Sequence, residues 1–219
     1  MTWLRLAWSN LRLTPIASLV NVLLMTLGTA SIVLLILAGE RFADTVSRDA
    51  RGIDLVLGAN GSPLQLILSS VYHADVPPGN ISLADAQGWM EDARIELAVP
   101  VGLGDSFRGF RIVGTEPSFF SLYELDVATG EFWGGPMEAV LGAEVARNLG
   151  LAIGDHFSGV HGLAQGGHQH DANVYRVVGL LRPTGKVVDR LILTDLESVW
   201  MIHETDEHLA SQENQHHPD

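Results

Sequence analysis

Four of the nine histidines fall within fifteen residues, in HFSGVHGLAQGGHQHDANVY: His156, His161, His168 and His170, with Asp171 adjacent. Imidazole nitrogens and a carboxylate suit Zn2+ or another borderline divalent cation. A glycine-rich loop can bend His161 toward His168 and His170, which makes these three the first candidate metal ligands. Their spacing, H-x6-H-x-H, matches none of the common zinc patterns. A solvated insertion between two strands, with histidine chosen for polarity, accounts for the same residues. A second cluster holds His203, Glu204, Glu207 and His208, with His216 and His217 beyond it. Glu204 and His208 lie one turn apart if a helix continues there, and His203 and His208 are the second pair of candidate ligands. Acidic, histidine-rich tails of this kind chelate weakly.

Nothing else in the chain resembles catalytic machinery. There is no cysteine, so disulfides, thiolate metal sites and thiol chemistry are excluded. Ser62, Ser158 and Ser198 lie in no G-x-S-x-G elbow. Asp105, Glu116 and Glu131 read as scattered acids on a solvated surface. No G-x-x-x-x-G-K-[ST] phosphate loop occurs, so the chain is not expected to be an enzyme, and any ATP hydrolysis would belong to another subunit. With 13 Lys and Arg against 26 Asp and Glu, a formal charge of −13, nucleic acid is not an expected partner.

The elements that must position these residues begin in a membrane. From Leu13 to Gly39, LTPIASLVNVLLMTLGTASIVLLILAG is 27 residues without a charge. About 20 helical residues cross the hydrocarbon core, and the run is too long for a cleaved leader. Arg5 and Arg12 precede it and Glu40, Arg41 and Asp44 follow, which places the N-terminus in the cytoplasm and the bulk of the chain outside. Ahead of the span, Trp3, Leu4, Ala7, Trp8 and Leu11 recur at helical spacing, as in an interfacial helix; alternatively the two Trp belong to an aromatic belt. Ser18, Gly28, Thr29, Ala30 and Ser31 would let another helix approach, and Asn21 would bond to it.

Past the span, ERFADTVSRDARG reads as a helical stalk and IDLVLG as a short strand. Ser62-Pro63 starts a buried helix, LQLILSSVYH, and Ser82 with Asp85 starts another. Strands are expected at Ala98–Val101, Phe110–Val113 and Ala139–Leu141, a helix at AEVARNLG closed by Gly150, then strands VYRVVGLL and RLIL. Thr194 and Glu197 have capping-box spacing, opening a helix whose stripe is Leu196, Val199, Trp200 and His203. The expected fold is therefore α+β with a mixed sheet. Its expected parts are an interfacial helix (1–12), a span (13–39), a core domain (40–203) and a disordered acidic tail (204–219).

DLVLGANGSPLQLILSSVYHADVPPGNI, VGTEPSFFSLYEL, EAVLGAEVARNLGLAIGDHF and YRVVGLLRPTGKVVDRLILTDLESVWMIHE, in this order after one span, resemble the first half of a MacB/FtsX-type permease of the ABC transporter superfamily. The resemblance extends to about His203. It implies a periplasmic core domain of porter and sabre type, a plasma (inner) membrane location, a cytoplasmic ABC ATPase as partner and a second permease chain forming a dimer. It also implies three further helices after the core domain, which this sequence does not contain. The expected function is the anchored periplasmic part of such a permease, transmitting ATPase-driven motion to the outer side for export or extraction of a substrate the sequence does not name. The alternative is an anchored metal-binding or scaffolding module without transport.

Overall fold

The computed structural model describes residues 2–161 and 169–202. The chain divides into two compact units, Met1–Arg48 and Asp49–Asp219.

The first unit is helical. Helix α1 covers Thr2–Leu13 and α2 runs from Pro15 to Asp49, 35 residues with proline at its start, where no intrahelical donor is lost. At 1.5 Å per residue α2 is about 52 Å long. Among the described residues it is the one helix long and apolar enough to cross a membrane, and its apolar window is unburied by the rest of the chain. Three of its hydroxyls are satisfied within it: those of Thr26, Thr29 and Ser31 donate to the carbonyls of Val22, Met25 and Leu27 at 2.7, 2.8 and 2.9 Å. Such back-bonding lets hydroxyls sit in an apolar medium without an orphaned donor.

The second unit is α+β around one mixed sheet. Its strands are β1 (Val101–Phe107), β2 (Phe110–Thr115), β3 (Val127–Gly130), β4 (Glu138–Leu141), β5 (His156–His161), β6 (Gln169–Leu181) and β7 (Leu191–Asp195). The order is β3-β6-β4-β7-β2-β1-β5, and β5 pairs again with the first half of the long β6. The sheet thus curls until β6, β4, β7, β2, β1 and β5 form a ring, with β3 as an outer strand on β6. The pairings β2–β7 and β4–β6 are parallel and the rest antiparallel.

Strand alternation divides the core into two faces. Ile112, Ala139, Leu141, Val177 and Ile192 gather with Phe157, Tyr175 and Val145 of helix α6 (Ala143–Leu149). Their neighbours Val113, Val140, Val178, Leu191 and Leu193 gather with Phe119 and Tyr123 of helix α5 (Ser118–Tyr123) and with Val187 and Val188 of the 3-10 turn Val187–Arg190. Gly150 closes α6 in the left-handed region, as its sequence implied.

Several expectations are corrected. IDLVLG forms no strand: Ile53 packs on the core while Leu55 and Leu57 are exposed, so the segment lacks the alternation of a half-buried strand in its setting. Helix α3 (Pro63–Ser70) has its Ser62 cap, but it is not a buried helix. Ser69 is its one buried residue, and Leu64 is 66% exposed. Helix α4 (Leu83–Met90) starts at Ser82 as expected and buries none of its residues. Residues 196–202, helix α7, are not opened by a Thr194 cap. Asp195 Oδ1 accepts from Glu197 N at 2.9 Å, while the Thr194 hydroxyl donates to the Glu138 carbonyl at 2.7 Å. The inward stripe of α7 is Leu196, Val199 and Ile202, and Trp200 is 42% exposed.

Candidate functional site

The described ends of the histidine-rich segment, β5 and the start of β6, pair antiparallel as the two arms of a β-hairpin. Val160 of β5 lies opposite Gln169 of β6, so the chain returns on itself between them. His161 ends β5, with its backbone opposite Asp105 of β1, and His170 is the second residue of β6. The pairing brings these two backbones to the same end of the hairpin. His168, His203 and His208, and likewise His216 and His217, lie outside the described residues. His156 is exposed, opposite Arg176. Among the described residues no three His, Asp or Glu side chains converge as metal ligands.

Asp105 is not a surface acid. It is 5% exposed and lines, with Tyr175, Val199 and Ile202, a crevice too narrow for a water molecule. Burial first, and the Asp105 charge second, push the Tyr175 hydroxyl's pKa up. Gly159 faces this carboxylate, since a Cβ there would stand 2.9 Å from Asp105 Oδ2. The charge at the fourth position of the GLGDSF run read as one more surface acid, because the strand there was expected to end at Val101.

On the other face of the sheet, polar groups collect where the second unit begins. Asp49 is 3% exposed, and Val187 N–H donates to its Oδ1 at 2.8 Å across 138 positions of sequence. The carboxylate thereby caps the 3-10 turn that feeds β7. Lys186 Nζ donates to the Tyr123 carbonyl at 2.9 Å, and Asp189 accepts from the Thr184 and Gly185 amides of the Pro-Thr-Gly turn. The Tyr123 hydroxyl is pushed up to about 12, by burial first and then by Asp49 and Tyr72.

His73 follows α3 and is 6% exposed, with φ at +51°, in the left-handed region a histidine seldom adopts. Neither ring nitrogen has a hydrogen-bond partner among the described residues, and the same holds for Nε and Nη2 of Arg111, which is 4% exposed on β2. Burial first, then the Arg111 charge, push the His73 pKa down to about 3, so the ring is neutral. Burial also lowers the pKa of Arg111, opposed by Asp75. Sequence reading missed Asp49, His73 and Arg111. The one local signal was a guanidinium inside the otherwise apolar strand FRIV.

The family model for the MacB-like periplasmic core domain matches residues 18–214. Among solved structures, the chain is similar to the periplasmic region of MacB from Actinobacillus actinomycetemcomitans, at 15% identity and a TM-score of 0.45, over 68% of this chain and 69% of that one. It is similar to the extracellular domain of the noncanonic ABC-type transporter YknZ from Gram-positive bacteria, at 14% identity and a TM-score of 0.40, over 65% of this chain and 73% of that one. A domain of a putative permease protein from Porphyromonas gingivalis gives 14% identity and a TM-score of 0.34, with 50% and 49% covered. No curated protein sequence matches the chain.

Proposed function

Because the chain belongs to the MacB-like periplasmic core domain family, we propose that it serves as the membrane-anchored extracytoplasmic part of an ABC transporter permease. One observation carries this reading: the family match is continuous from residue 18, inside the apolar helix α2, to residue 214, so span and domain are matched as one piece. In this role α2 crosses the inner membrane with its N-terminus in the cytoplasm, the side to which Arg5 and Arg12 assign it. A cytoplasmic ABC ATPase is its partner in this role, and a second permease chain completes the assembly. Motion driven by ATP hydrolysis passes outward through α2 to the sheet and moves a substrate on the outer side.

The test uses the absence of cysteine. Single cysteines at Ser9 and Gln87, labelled in intact cells with a membrane-impermeant thiol reagent, should react only at Gln87→Cys. Affinity purification of the full chain in mild detergent should retain an ABC-class ATPase identified by mass spectrometry. Labelling of Ser9→Cys instead, or purification without any ATPase, would overturn the reading.

A second reading, a metal-binding module, is supported by the register that sets Asp105 opposite His161 at the end of the hairpin. Equilibrium dialysis of the full chain should then retain zinc at micromolar concentration and lose it when His161, His168 and His170 are all replaced by Asn. Zinc retention unchanged by that replacement would leave the hairpin without this role.

A further inference from the structure

We propose that His73 and Arg111 form an acid-released clasp holding an arm, residues 59–98, closed against the sheet. The clasp goes beyond the transport reading and stands or falls independently of it.

The arm is weakly held by everything else. Helix α4 buries no side chain, α3 buries only Ser69, and Leu64, Ile67, Leu83 and Trp89 are exposed. Its seated part is the short stretch at the end of α3, where Val71 and His73 are buried. The chain on either side stays with the sheet, since Ile53 and Val99 both pack on the core around Val113 and Leu193. Those flanks are where a hinge would lie.

The seat is built against its own stability. His73 occupies a left-handed backbone conformation, which costs a non-glycine residue energy. Both of its nitrogens, and two of the three on Arg111, are sealed from solvent without partners. Orphaned polar groups of this kind lose the hydration they have in the open chain. They lack accessible surface, so no water or anion fits beside them in the closed form. Swinging the arm outward would hydrate all four nitrogens at once, at the expense of a few apolar contacts. For the Asp49 carboxylate and the Val187 N–H the opposite holds: they satisfy each other. The arm is therefore the part that yields, while the sheet keeps its buried bond to the last residue of α2.

Protons bias this opening. The charged groups that act on His73 are the Arg111 guanidinium from β2, which opposes protonation of the ring, and Asp75 on the same loop, which acts on Arg111. The nearby Asp49 and Tyr72 act on Tyr123. A ring held at about 3 in the closed form returns to about 6.5 once hydrated. The open form therefore binds a proton that the closed form rejects. The advantage of the closed form is complete above about pH 6.5 and falls about tenfold for each pH unit below it, down to the closed-form value. Between pH 7.5 and 5.0 the open-to-closed ratio should rise about 30-fold.

The full chain in detergent, carrying Ser69→Cys as a buried probe and separately Gln87→Cys as an exposed reference, tests this with 4,4′-dithiodipyridine, which reacts at both pH values. The Ser69→Cys rate relative to the reference should rise about 30-fold from pH 7.5 to 5.0. In a Ser69→Cys, His73→Asn chain it should stay flat, because Asn tolerates the left-handed backbone and does not titrate. A probe at Val140→Cys on the central strand should remain unlabelled. In the native sequence the His73 ring C2–H should exchange with deuterium more slowly than that of exposed His156 at pH 7.5. The clasp is overturned by a flat ratio with His73 present, a rise that survives His73→Asn, labelling of Val140→Cys in step, or equal exchange at the two histidines.

Discussion

Asp49 looks in the sequence like one more acid of a charged stalk, yet it is among the most buried polar residues of the molecule. Its carboxylate satisfies the Val187 amide in a core where no water can replace it. Asp49→Ala should therefore lower stability by about 1–3 kcal/mol, the cost of a buried donor left unpaired. Asp49→Asn, which keeps an oxygen acceptor, should lose less. The difference in thermal midpoint between the two variants measures it, and equal midpoints would show that the bond contributes nothing. Asp105 teaches the same lesson. By type alone it read as a scattered surface acid, whereas the paired β1 seats the side chain beside Tyr175. A carboxylate's burial depends on which residues arrive from elsewhere in the chain, and neither its type nor its immediate neighbours records that.

At the scale of elements, local chemistry was legible wherever it was self-contained. Ser82 accepts from Asp85 N at 3.1 Å and donates to the Asp85 carboxylate at 2.6 Å, a reciprocal cap complete within four residues. Ser62 caps α3 and Gly150 ends α6 by equally local means. Two glycines separate local from tertiary causes. Gly88 lies within α4 with nothing near its Cβ position, so Gly88→Ala should stabilise that helix by about 0.5–1 kcal/mol through lost backbone freedom in the unfolded chain. Gly130 ends β3 at φ +83°, and a Cβ there would run into the Val178 carbonyl oxygen of β6. Gly130→Ala should destabilise the domain by at least about 1–3 kcal/mol, since strain and collision add. Amide hydrogen exchange in α4 for the first, and the domain's melting temperature for the second, should move in opposite directions.

At the scale of the whole molecule, the two units predict separable behaviour. Residues 49–219 contain both hydrophobic faces of the sheet and the bond of Asp49 to Val187, so this piece should be soluble without detergent and melt in one cooperative transition. A chain that precipitates, or melts without cooperativity, would show that the domain needs its anchor. Conversely Leu34→Arg, at the centre of the apolar helix, should cost about 2.5–3.5 kcal/mol of insertion and reduce the membrane-bound fraction on cell fractionation. By itself the sequence determined the long apolar helix, the α+β class, the starts of α3 and α4, the glycine stop of α6 and the family, because each is written in a contiguous stretch of residue types. The family resemblance rested on strings such as EAVLGAEVARNLGLAIGDHF, whose order survives whatever the register of the strands. Only the tertiary structure decided that IDLVLG stays unpaired, that β5 closes the sheet into a ring, and that His73 meets Arg111. Those outcomes depend on which strands find each other and which side chains are sealed from water. Both are properties of segments brought together from distant parts of the chain.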